Sequence, residues 1–245
     1  MRDFFLFETE LPVGSGFQLF GPCHLTWLFS ILLFIVINTK WYVRQTAKRQ
    51  KKMNNLMGFL FPVIAVYRDM ALVLTGHFNR GFLPFHLCSM ALWIAFFYIL
   101  TNNRFLGVVY VLLCVPGAMA ALLFPNWEMY PLFNYMHIHG FISHGLIVAF
   151  GIWLLAEGKV KPDWKDYWMP VLFGMIGVMI IYPLNICLHT NFWFLAIPSQ
   201  GSPLELIWRR TGSIWYIVGY LAFCMLVVAL WQMVISLTRR SRNSG

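Results

Sequence analysis

Apolar residues fill seven runs of the chain, at 23–38, 56–76, 83–101, 105–124, 138–156, 168–187 and 213–236, and polar residues gather between them. A helix that crosses the hydrocarbon core of a bilayer needs about 20 mostly apolar residues. The pattern therefore predicts an all-α protein: a polytopic transmembrane bundle of seven helices, with residues 1–245 in one transmembrane domain. The first run is short, and residues 16–22 can extend it. No soluble domain, internal repeat or low-complexity linker is expected. The two long loops at 125–137 and 191–212 are rich in aromatic residues, which predicts that they rest on the membrane surface or cap the bundle.

Composition agrees. Only 11% of the 245 residues are charged and 60% are hydrophobic, with a mean hydropathy of +0.67, whereas soluble domains carry about 25% charged residues. The net charge of +9 does not point to nucleic acid, because the bases sit in short loops between apolar runs. Their placement instead orients the chain. Thirteen bases fall on one face: Lys40, Arg44, Lys48, Arg49, Lys51, Lys52, Arg104, Lys159, Lys161, Lys165, Arg239, Arg240 and Arg242. Four fall on the other (Arg2, Arg80, Arg209 and Arg210), and Arg68 lies inside a span. The N-terminus is thus expected outside and the C-terminus inside. Met1 to Val13 carries Asp3, Glu8 and Glu10 and no basic run before an apolar core, so no cleavable signal is expected.

With the spans placed, His24, His77, His86, His137, His139, His144 and His189 all fall on the outer side. Ionisable groups at membrane depth are costly and mark function, so a polar site open to that side is predicted. The third run opens Leu83-Pro84-Phe85-His86-Leu87-Cys88-Ser89, and Pro84 suits a first helical turn. On a regular helix His86 and Cys88 would point about 200° apart. Either His86 faces the site and Cys88 packs, or the reverse, unless the first turn is irregular. In the fifth run His137 and His144 share a helix face and His139 points elsewhere. His144 lies deepest, between Gly140 and Gly145, and a neutral imidazole there can act as general base.

Zinc is superficially suggested by His137, His139 and His144, with Glu128 or Glu205 as an acidic partner. The H-x-x-x-H face and the adjoining Glu of known zinc motifs are missing, so neither metal nor cofactor is expected. Arg68-Asp69 in mid-span is the costliest feature. Neighbours on a helix diverge by about 100°, so each is expected to need a further partner, and Asp69 can orient a histidine or fix the bundle. Asn185 and Asn191 flank the end of the sixth run and can donate to an oxyanion or a lipid carbonyl, or cap the helix. The five cysteines form no CxxC pair; both Cys23 and Cys187 lie near outer span ends, so their placement would allow a bridge such as Cys23–Cys187.

These residues carry a resemblance. Leu83-Pro84-Phe85-His86-Leu87-Cys88-Ser89 resembles the L-P-x-H-L-C-S motif of the bacterial YwaF-like integral membrane proteins, and Phe141 to Gly145 resembles their F-x-x-H-G segment. Asn185 to Leu195, Pro198 and Gly212 to Ile217 resemble their third motif, and His24-Leu25 an early His-Leu. Phe192 replaces the usual Tyr of that pattern, and Ser213-Ile214 stands where it has Pro-Trp-Pro. The resemblance implies a multi-pass protein of the bacterial plasma membrane.

More distantly the chain is similar to the eukaryotic transmembrane protein 164 family, described as acyltransferases that move fatty acyl chains between phospholipids by way of a Cys and a His. There the pair reads Pro-Cys-His. Aligning on the histidine gives His86 and puts Phe85 at the nucleophile's place, with Cys88 displaced by three positions, nearly one helical turn.

The residues and the resemblance together predict a membrane-embedded acyltransferase or acyl-ester hydrolase acting on a lipid at the outer leaflet. His144 would be the base, Cys88 or His86 its partner, and Asn185 or Asn191 the oxyanion donor. The alternatives are a lipid- or small-ligand-binding membrane protein or transporter with a histidine-lined cavity, and a partner subunit that docks through small-residue faces.

Overall fold

The computed structural model of the chain describes residues 3–243; Arg2, counted above with the outer bases, and the side chains of Ser213, Ile214, Ser241, Arg242 and Asn243 lie outside the described residues. Among the described residues there is no strand, and seven helices are long and apolar enough to cross a membrane. The spans are built on α1 (Pro22–Tyr42), α2 (Ala47–Leu74), α3 (Leu87–Thr101, the span beginning at Arg80), the joined pair α4 (Arg104–Val109) and α5 (Val115–Leu123), α6 (Tyr135–Glu157), α7 (Trp168–Leu188) and α8 (Pro203–Asn243, the span being Trp215–Arg240). Each overlaps one predicted apolar run.

The boundaries follow local chemistry. Pro22 opens α1, where its missing N–H costs nothing. α2 starts nine residues before its apolar run because Thr46 caps it, accepting from the Arg49 N–H at 3.4 Å. Asn134 caps α6 through the Met136 N–H at 2.8 Å, and Gly158, at φ 74°, ends it. Gly212, at φ 68° and ψ 176°, breaks α8 into a short first helix and the last span, a conformation that glycine alone adopts without strain.

The fourth span is not a continuous α-helix. Tyr110–Cys114 forms one π-helical turn between α4 and α5. Pro116 lacks the N–H that would bond the Leu112 carbonyl, which loosens the ladder there. The turn is held from outside: Tyr110 Oη donates to the Ile147 carbonyl at 2.9 Å, and Trp231 Nε1 donates to the Val111 carbonyl at 3.0 Å.

α6 is the central helix. Of its apolar window 67% is buried, against 6% for α1 and 17% for α7. Large apolar side chains on the outer helices, such as Phe29, Leu56 and Met179, point outward, as lipid-facing surfaces require. Alternation of the spans gathers all the histidines at one end. The opposite end holds a buried knot: Tyr42 Oη lies 2.5 Å from Glu157 Oε2 and 3.0 Å from Asn54 Oδ1, and Asn54 Nδ2 donates to the same carboxylate at 2.8 Å. Both aromatic loops cap the histidine end, one burying Trp127 and Tyr130, the other Phe192, Trp193 and Leu195.

Candidate functional site

The site is organised by the way α3 begins. After α2, residues Arg80–Phe82 make a 3₁₀ turn, a second turn follows at Pro84 and Phe85, and the helix starts only at Leu87. Two long-range hydrogen bonds hold this connector: Arg68 Nη2 to the Phe82 carbonyl at 2.9 Å, and Trp193 Nε1 to the Phe85 carbonyl at 2.8 Å. Pro84 therefore stands before the helix and not in its first turn, a correction to the expectation above. His86 is the N-cap residue, at φ −65° and ψ 143°. Its side chain leaves an extended backbone, so the 200° divergence from Cys88 that a regular helix imposes does not apply.

Cys88 is the second residue of α3. Its thiol interacts with the His144 imidazole and lies beside the Ser89 N–H. The first turn of a helix carries N–H groups without intrahelical partners and the positive end of the helix dipole. The sulfur thus lies where a negative charge is best accommodated, and reactive cysteines occupy such positions. Cys88 is only partly buried.

His144 is fixed from two sides. Nδ1 lies 2.7 Å from the Gly140 carbonyl. A carbonyl can only accept, so Nδ1 carries the proton and Nε2 keeps its lone pair. The Trp127 indole stacks on the ring at 5.0 Å and 23°. Gly140 makes that stacking possible, since a Cβ there would come within 2.6 Å of Trp127 Cε2. Trp127 is itself only 7% exposed. Sequence reasoning missed it; its one signal was the aromatic richness of the 125–137 loop.

Around this pair lie His86, His139 and Arg68. Both histidines are within electrostatic range of Arg68 and His144, and Cys88 is within range of Arg68. His86 packs against the rings of Phe192 at 5.0 Å and Phe194 at 5.9 Å. Arg68, with a 12% exposed side chain, donates through Nε and Nη2 to Asp69 Oδ1 at 2.8 and 2.6 Å and through Nη1 to Ser89 Oγ at 3.1 Å. The adjacent pair bonds itself, and Arg68 also has the further partners expected of it, Ser89 Oγ and the Phe82 carbonyl. Asp69 bonds only Arg68 among the described residues, so it orients the guanidinium and not a histidine.

Asn185 and Asn191 are not turned toward this site. Asn185 Oδ1 accepts from the Phe192 N–H at 2.8 Å and the Thr190 hydroxyl at 3.0 Å, and Nδ2 donates to the Phe192 carbonyl at 3.0 Å. Asn191 similarly ties Ala196 and Ile197. Both amides shape the loop, so the expected oxyanion role falls away.

Three of the other histidines, His24, His137 and His77, are structural. His24 is fully buried, accepting from the Phe20 N–H at 2.9 Å and donating to the Leu122 carbonyl at 2.8 Å. His137 bonds the Tyr130 carbonyl at 3.0 Å, and His77 pairs with Glu10 at 3.1 Å. Cys23 and Cys187 carry free thiols.

In comparison with known proteins, the family model of the TMEM164 family matches residues 19–232. No curated protein and no solved structure matches the chain.

Proposed function

Because the chain belongs to the TMEM164 family, we propose that it is a membrane acyltransferase that carries an acyl group from one lipid to another as a thioester on Cys88. The observation that carries this reading is the contact between the Cys88 thiol and the His144 imidazole at the N-terminus of α3. An interacting nucleophile and base, with the base oriented by a third group, is the arrangement covalent catalysis uses; here the third group is the Gly140 carbonyl.

The proton balance uses His144 twice. Nε2 takes the thiol proton as the sulfur bonds to the ester carbonyl carbon. The tetrahedral intermediate then expels the lipid alkoxide, which takes that proton back, and a thioester remains. An acceptor hydroxyl next gives its proton to Nε2 and attacks the thioester, and the returning proton restores the thiol. Water in the acceptor's place makes the same cycle a hydrolysis. The N–H groups of the first turn of α3 would receive the oxyanion, and Arg68 adds positive charge within range of Cys88. The thirteen-to-four distribution of bases supports a site facing the extracytoplasmic leaflet.

The test is intact mass spectrometry of the protein after incubation with a lipid-like chloroacetamide or fluorophosphonate probe, for wild type, Cys88→Ala and His144→Ala. An adduct that maps to Cys88 and requires His144 is expected. Lipid that co-purifies equally with all three, without an adduct, would favour a non-catalytic lipid-binding protein.

A further inference from the structure

An open groove of about 530 Å³ lies at the histidine end, between Asn79–Gly81 on one wall and Leu188–Thr190 on the other. Small-molecule sites span about 300–1,000 Å³, so the space suits a compact polar ligand. Both walls are fixed. Asn79 Oδ1 accepts the Gly81 N–H at 2.8 Å. Thr190 is tied through its N–H to the Asn185 carbonyl and through its hydroxyl to Asn185 Oδ1, each at 3.0 Å.

Two cation-forming side chains line this groove, Arg80 and His189. Both residues are exposed, and among the described residues neither guanidinium nor imidazole has a hydrogen-bond or ion-pair partner. Arg209, at the same end, is by contrast spent on Glu205 at 2.6 Å. His189 also stands in a conformation that needs a reason. It closes α7 at φ 54° and ψ 48°, the left-handed cap that glycine fills without strain. A side chain kept where glycine would fit more easily is one with a use of its own.

The lining therefore offers a guanidinium fork, an imidazole and the Asn79 carboxamide, all able to donate. An oxyanion with several acceptor oxygens matches that set, and the arginine fork suits phosphate. The groove sits where apolar spans end, the depth of lipid headgroups. We propose that Arg80 and His189 bind the phosphate of a membrane-lipid headgroup. The groove adjoins the cysteine site through both walls: Phe82, in the same turn as Arg80, accepts from Arg68 at 2.9 Å, and Phe192, two residues beyond Thr190, packs on His86 at 5.0 Å. Anchoring the headgroup there would set the lipid's ester linkages beside Cys88, a consequence that rests on the acyl-transfer reading, whereas the binding does not.

Native mass spectrometry of the full chain in detergent micelles tests this with palmitoyl-oleoyl phosphatidylglycerol, diacylglycerol of the same chains, and inorganic phosphate. Arg80→Gln and His189→Gly should each weaken phosphatidylglycerol retention by about tenfold, the loss of one charge-assisted contact, and leave diacylglycerol unchanged. His189→Gly should keep the thermal midpoint, since glycine suits that cap. Equal retention by wild type and both variants would overturn the proposal, as would a parallel loss of diacylglycerol. Binding of inorganic phosphate without retention of phosphatidylglycerol would assign the groove to soluble phosphate and overturn the lipid assignment. Cys88→Ala should retain phosphatidylglycerol like wild type. A wild type that retains it through Arg80 yet transfers no acyl chain would refute the acyl-transfer reading and leave the groove standing.

Discussion

Gly140→Ala is a small change aimed at the base. The new Cβ would lie 2.6 Å from Trp127 Cε2 and 2.8 Å from both Cδ2 and Nε1, where ordinary contact begins at 3.4 Å. The indole must retreat from 2.6 to at least 3.4 Å, a shift of about 0.8 Å, and it is the surface on which His144 stacks. Overpacking costs about 1–3 kcal/mol, while alanine in a helix gains about 1 kcal/mol over glycine. The net loss of stability is then only about 0–2 kcal/mol. The effect on Cys88 should be larger. If the displaced imidazole releases the thiol, a hydrogen bond to a charged group is lost, about 1.5–3 kcal/mol, or a ten- to hundredfold smaller thiolate population. The assay is the rate of chloroacetamide alkylation at Cys88, followed by peptide mass spectrometry, beside the thermal midpoint in detergent. Gly174→Ala is the control, because nothing lies within 4 Å of its added Cβ: it should leave the rate unchanged and the midpoint equal or higher. Alkylation of Gly140→Ala within twofold of wild type would refute the view that Trp127 holds His144 against the thiol.

Two further outcomes follow from the loops at the same end. Asn185→Ala removes the partners of the Phe192 N–H and carbonyl; leaving a buried backbone group unpaired costs about 1–3 kcal/mol, so a lower thermal midpoint is expected, with any phosphatidylglycerol or acyl-transfer defect recovering on cooling. Glu10 is held below the usual carboxylate range, chiefly by the Phe7 N–H and then by His77. A depressed carboxylate contributes stability that is present above its unfolded value and lost as pH falls through its folded one. The protection of residues 3–10 against hydrogen exchange, corrected for the intrinsic slowing of exchange in acid, should therefore fall as pH drops below the ordinary glutamate range, and Glu10→Gln should abolish that dependence; identical protection profiles for the two would count against it.

Much of this architecture can be read from sequence, because hydrophobic run length is a strong local signal. The seven spans and the gathering of histidines at one end needed nothing else. What escaped depends on partners distant in the chain. Where α3 begins is set by Arg68 and Trp193 bonding the carbonyls of Phe82 and Phe85, and no window around Pro84 contains either. That late start is what frees His86 from the helical geometry that seemed to set it against Cys88. Asn185 and Asn191 carried the right chemistry for an oxyanion donor, but their own loop claims them first, the usual competition between local backbone groups and a distant site. Trp127 had no motif to announce it, and Glu157 met Tyr42 and Asn54 only through packing.

The π-helical turn at Tyr110–Cys114 makes the fourth span a helix with two phases. One residue more than a regular turn requires advances everything after it by about 100°, so α4 and α5 share an axis but not a register. Each half can present its own chosen face to its neighbours, which a single uninterrupted period of 3.6 would forbid. Deleting one residue there would lengthen no loop and break no cap. It would instead rotate α5 beneath α6, as a slipped tooth mis-times one gear against another.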